Sequence, residues 1–230
     1  MKNKEIAFEN LMPFYIKLKR SRMEKWCLQE MTQSRKEKRS FKRLDNNKEF
    51  MINKMGFYKK HAWFHFDDSI NGAGWVPFKF IRNNYRRLNL EPLKSQTNDT
   101  EMYFCAVKMM LNFAGIDIDM DTFNKYMNVS QYSHFIYTPQ HFFKLFVNLK
   151  GSYKDLTNKS FRRVRSKLLR NRPTMLWIKN NDDVIVPIII VGFNRRVFFY
   201  NDPLSGSMKT ITVKSLNKQW RKCYYFALSY

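Results

Sequence analysis

Between Val184 and Val191 the chain reads Val-Ile-Val-Pro-Ile-Ile-Ile-Val, without one polar side chain. A short run rich in β-branched residues favours a strand, and unbroken apolarity asks for the centre of a sheet, where both faces are covered. Pro187 has no N–H to give to a ladder, which predicts a bulge or an edge position there. Thr174–Ile178 before it and Val197–Tyr200 after it supply neighbouring strands, and the segments Gly192–Arg196 and Asn201–Gly206 read as turns.

A second constraint lies at 96–115. A polar segment ends in Asp99 and Thr100, either able to cap a helix. Phe104, Val107, Met110, Leu111 and Ala114 then recur at spacings of three and four, so one helical face should be buried, and Gly115 should end the helix in the left-handed conformation. Further helices are expected over Asp121–Met127, from Pro139 through Leu149, over Lys159–Arg170 and over Lys214–Cys223. From about residue 90 onward helices and strands therefore alternate.

The first 89 residues differ. Ile16, Met23, Trp26, Cys27 and Met31 keep partial helical spacing, and the run Arg35–Arg43 is densely basic, so residues 1–50 read as a basic helical or partly disordered arm. Residues 51–89 hold short aromatic strands, with Asn71-Gly72 as a hairpin signal. His61 and His65 stand in a strand-like context without a nearby third ligand, which argues against a metal site; no cofactor motif occurs.

Charge bounds the partners. Lys and Arg number 42 against 19 Asp and Glu, a net +23, which attracts anionic polymers or surfaces without choosing among them. Three dispersed cysteines with no CxxC pair argue against a thiol zinc site or a disulfide framework. The start has no apolar core of secretory length and no run is long enough to span a membrane, so a soluble, cytoplasmic protein is expected. The sharpest basic patch is Lys159, Arg162, Arg163, Arg165, Lys167 and Arg170, readable as a solvated face or as an anion-binding surface.

Two resemblances join these readings. Trp63–Ile81, with Asn71-Gly72-Ala73-Gly74-Trp75-Val76, resembles a GW module, an SH3-like wall-binding repeat of bacteria. Residues 90–230 resemble the C39-like cysteine peptidases, papain-like enzymes related to those that trim bacteriocin leaders and often found with GW modules in lactic-acid bacteria. The resemblance rests on Pro92–Gln96, Met109–Gly115, Asp155–Thr157 with Ser160-Phe161, Arg172-Pro173, Val191–Phe193, Tyr200–Gly206 and Ala227–Tyr230. It implies an α+β fold, helices packed on an antiparallel sheet, preceded by a small β-barrel and the basic arm, and it would place the protein at the cell surface or outside.

Such an enzyme uses a thiolate at a helix N-terminus, a histidine base, an acid or amide that orients the histidine, and an oxyanion donor. The resemblance gives Gln96 as the oxyanion glutamine and Asp202 as the orienting acid. It puts the nucleophile six residues after Gln96, at Met102, and the base six before Gly192, at Val186. Neither side chain can perform those steps. Cys105 is the alternative nucleophile, displaced roughly 4.5 Å along the helix, with only His134 or His141 in its region as base.

Three functions stay open on these residues. The first is an inactive peptidase homologue that binds a peptide in the former substrate cleft or an anionic polymer, such as wall teichoic acid, on its basic face. The second is an active enzyme using Cys105. The third is a nucleic-acid binder working through the basic arm and the helix from Lys159.

Overall fold

The computed structural model describes residues 8–19, 26–28, 38–40, 48–58, 61–67, 73–96, 99–127 and 137–230. The chain divides into two compact units, Met1–Asn89 and Leu90–Tyr230. The Asn71-Gly72 turn, most of the Arg35–Arg43 run and His134 lie outside the described residues.

In the first unit, β1 (Phe8–Ile16), β2 (Trp26–Leu28), β3 (Lys38–Ser40), β4 (Phe50–Tyr58), β5 (His61–Asp67), β6 (Gly74–Pro77) and β7 (Arg86–Leu88) pair antiparallel in the order β3-β2-β6-β5-β4-β1-β7. The helix expected before residue 50 is corrected here: Phe8–Ile16, Trp26–Leu28 and Lys38–Ser40 are strands. Phe14, Ile16 and Leu18 are each buried while Tyr15 and Lys17 are less so, a period of two that overrides the helical spacing. After β6 a 3-10 turn, Phe78–Phe80, brings Ile81 to bridge Leu18, with the Lys19 amide donating to the Phe80 carbonyl and that of Arg82 to Lys17. β7 then pairs with β1 through Leu88 opposite Phe14. A core of crossed rings, Phe14 on Phe64 and Phe50 on Phe66, fills the space between these strands.

The second unit holds α1 (Asp99–Phe113), α2 (Met120–Met127), α3 (Phe143–Lys150), β8 (Lys154–Asp155), α4 (Phe161–Leu169), β9 (Thr174–Lys179), β10 (Ile185–Phe193), β11 (Val197–Asp202), β12 (Ser207–Thr212), α5 (Val213–Arg221) and β13 (Ala227–Ser229). Its sheet is antiparallel in the order β12-β11-β10-β9-β13-β8, with helices packed on it. The apolar run is β10, between β9 and β11, as a sheet-centre strand should be. Pro187 pairs with Trp177 of β9, and β11 joins β10 from Ile189 onward, so Pro187 lies outside the β10–β11 ladder.

α1 is the central helix. Val107, Met110 and Leu111 are buried as expected, yet so are Met102, Tyr103, Cys105, Ala106 and Met109, so the helix is enclosed on more than one face. Gly115 ends it at φ 77°, its amide bonding the Asn112 carbonyl while that of Ile116 reaches back to Leu111. Pro139 opens a 3-10 turn, Pro139–Phe142, that leads into α3; Phe142, Leu145 and Phe146 are buried, whereas Phe143 is exposed.

Candidate functional site

Alternation along the strands sorts the site residues by face. Trp177, opposite Pro187, lies 6.2 Å from the Tyr103 ring of α1, and Asn201, opposite Ile189, turns its amide toward Met109 Sδ at 3.8 Å. This is the α1 face. Val186 is opposite Ile178, one residue on from the Trp177 pair, and therefore points to the other face. Asp202 follows Asn201 and points away from α1 as well; its carboxylate meets Lys209, the strand partner of Tyr200. Val186 and Asp202 thus share one face of the sheet, and the body of α1 lies on the opposite one.

Asp202 is 6% exposed and its carboxylate is fully engaged. Oδ1 accepts from the Leu204 amide at 2.9 Å, and Oδ2 accepts from Ser205 Oγ at 2.9 Å and from Lys209 Nζ at 2.6 Å. The pairing holds Lys209 above the usual lysine range. The Ser95 amide donates to the Pro203 carbonyl at 2.8 Å, which brings the Gln96 segment against the Asp202 turn. Gly206 closes that turn at φ 64°, and a Cβ there would lie 2.5 Å from Lys94 Cβ, so the contact demands glycine twice over. Gln96, its side chain exposed, is joined to α1 by its backbone amide, which donates to Glu101 Oε2 at 2.9 Å.

Met102 lies in the first turns of α1 and is 3% exposed. Seven residues separate it from Met109, so the two share a helical face about 10 Å apart along the axis. Met109 Sδ accepts from the Leu93 amide at 3.3 Å, and Asn201 Nδ2 donates to the Leu90 carbonyl, so this side of the helix is joined both to the 90–96 segment and to β11.

Cys105 is buried, and its thiol is pushed up by burial and by Glu101, with Lys108 opposing. Glu101, a carboxylate in the first turn of the helix, repels a second negative charge at Cys105. His141 is exposed and its Nδ1 accepts from the Thr138 amide at 3.0 Å. Among the described residues no group of three His, Cys, Asp or Glu could hold a metal ion; His65 instead bonds Asn53 at 3.1 Å and stacks edge-on to Trp75.

The six basic residues divide. Lys159, Arg162, Arg163 and Arg170 are exposed. Arg165 lies over the rings of Phe193 and Phe198 at 5.4 and 5.3 Å, and Lys167 donates to the Tyr230 carbonyl at 3.0 Å with its pKa lowered to about 8 by burial and by Arg172. Sequence reasoning passed over Glu101, Lys209 and Asn201. Lys209 was within reach of it, because the Asn201–Gly206 turn fixes the β11–β12 register and sets position 209 on the Asp202 face.

The model of the Peptidase_C39 like family matches residues 87–228. A crystal structure assigned to a C39-like peptidase from Bacillus anthracis is similar over 62% of this chain and 94% of its own, at 18% identity and a TM-score of 0.52. No curated protein matches the chain.

Proposed function

We propose, for a chain that belongs to the Peptidase_C39 like family, that it binds a peptide without cutting it. The observation that carries this is the state of Asp202: where an orienting acid would hold an imidazole, its carboxylate holds the Lys209 ammonium. Met102 and Val186, at the nucleophile and base positions implied by the resemblance, have no proton chemistry to offer, and burial and Glu101 push the Cys105 thiol up, against the thiolate. What remains is a segment ending at Gln96, held against the Asp202 turn and the start of α1, suited to lining a peptide backbone.

The first unit suits the other half of this reading, a GW-like, SH3-like module that attaches the protein to wall polymer. Its support is the return of the chain after the 3-10 turn to pair with Leu18 and β1, and Gly74-Trp75 in β6. The working site would then be the cell surface.

The test is a pair of measurements on the full chain. Incubation with a mixed peptide library should give no cleavage products by mass spectrometry, while calorimetry should detect binding of library members. Turnover that disappears in Cys105→Ala would overturn the proposal in favour of an active enzyme, and absence of both turnover and binding would remove the peptide.

A further inference from the structure

Helices α4 and α5 are distant in sequence yet adjacent in space, since Phe161 at the start of α4 lies 5.3 Å from Trp220 near the end of α5. Each buries a narrow stripe, Val164 and Leu168 in one and Leu216 and Trp220 in the other. Neither contains an acidic residue. Their exposed cations therefore form one surface: Arg162 and Arg163 on α4, Lys214, Lys218 and Arg221 on α5, and Arg196, whose carbonyl accepts the Val213 amide at 3.3 Å and so sets the β10–β11 hairpin beside the start of α5. The cations at the starts of both helices also oppose the helix dipoles, an arrangement that a bound polyanion would relieve at both helix starts. Lys179 and Lys222 are outside this surface, because both pair with Asp183, at 3.3 and 3.7 Å.

An aromatic residue stands at its edge. Tyr224 follows α5, is 76% exposed, and has φ 53°, with Tyr225 at φ 54°; the turn is closed by the Phe226 amide on the Cys223 carbonyl. Two successive non-glycine residues in the left-handed region are costly, and here the cost holds a ring outward over Phe226, at 5.7 Å, just beyond the exposed Arg221, whose carbonyl accepts the Tyr224 amide at 3.2 Å. Stacking platforms beside a cationic track are how proteins hold single strands. Leu169 is the exposed large apolar residue of the two helices, too little to insert into lipid.

We propose that the α4–α5 surface binds single-stranded nucleic acid, its phosphates along the two helices and one base on Tyr224. This site is separate from the peptide reading and stands or falls without it. The test is fluorescence anisotropy of the full chain with a labelled mixed-sequence oligonucleotide of about 12 nucleotides. Affinity should fall as salt rises, and Arg162→Glu with Lys218→Glu should weaken binding and flatten the salt slope. Tyr224→Gly, which suits the positive φ and so leaves the fold intact, should weaken oligonucleotide binding about tenfold, while Tyr224→Phe retains it. Inorganic polyphosphate should bind equally to wild type and Tyr224→Gly. Oligonucleotide binding unchanged by Tyr224→Gly, or unchanged by both charge reversals in circularly dichroic, folded protein, would overturn the proposal, as would tighter binding to phosphatidylglycerol vesicles than to the oligonucleotide.

Discussion

Gly206 shows how one residue ties chemistry to fold. It takes a left-handed φ of 64° and lets Lys94 approach where a methyl group would collide. Gly206→Ala should therefore cost about 1–3 kcal/mol, from the backbone conformation and the clash together. The expected outcome is a lower melting temperature and, because Lys94 leads into Ser95 and Gln96, looser peptide binding. An unchanged melting curve would mean that the 94–96 segment yields without cost. Asp202 makes the complementary point. The resemblance gives it the place of an orienting acid, and in the structure its carboxylate accepts from Lys209, three residues beyond Gly206, reached because the turn folds β12 back on β11.

At the scale of elements, β1 is where pattern reading and structure part. Partial helical spacing from Ile16 onward competed with the alternation Phe14, Ile16, Leu18, and the alternation prevails because β4 and β7 supply partners on both sides. Nothing local to residues 8–16 announces those partners. Elements carrying a strong local period were legible: the apolar run of β10, the glycine-ended α1, and the basic α4. What was not legible was which helices would meet, hence the extension of the cationic surface from α4 onto α5, and the loss of Arg165 to a ring contact.

Glu49, just before β4, joins that strand to β7 by accepting from Tyr85 and from both Nε and Nη2 of Arg87. Burial raises its pKa, but the bonds to Arg87 and Tyr85 outweigh it, and the carboxyl is held below its ordinary value. A depressed carboxyl stabilises the folded state fully above the unfolded value of about 4.3 and ceases to do so as pH falls through the lower folded value. His65, held low by burial and by Lys54, has the same sign at a higher pH: its contribution is complete above about 6.5 and declines below it. Glu49→Gln should cost about 1–2 kcal/mol at neutral pH and remove the part of the loss below about pH 4 that Glu49 contributes, leaving the one near pH 6. Urea melts at a series of pH values would read both limbs, and an acid limb unchanged in Glu49→Gln would exclude Glu49 as its source.

For the whole molecule, the division at Asn89–Leu90 carries a consequence for folding. The second unit holds the six strands β8–β13, its own central helix and a core that includes Trp177, Trp220, Phe123, Phe142, Phe146 and Phe198. The family match begins at 87, and the Bacillus anthracis structure covers 62% of this chain with 94% of its own, so a protein little longer than this unit forms the fold. At about 140 residues such a unit is large enough to bury a core of its own. The fragment 90–230 should therefore fold alone, with mixed α+β circular dichroism and one cooperative urea transition. Its surface keeps α4, α5 and Tyr224, so it should bind the single-stranded oligonucleotide as tightly as the full chain does. A broad, non-cooperative transition would show that the first unit is needed to complete the core. A folded fragment that has lost the oligonucleotide would move the nucleic-acid site out of α4 and α5 altogether.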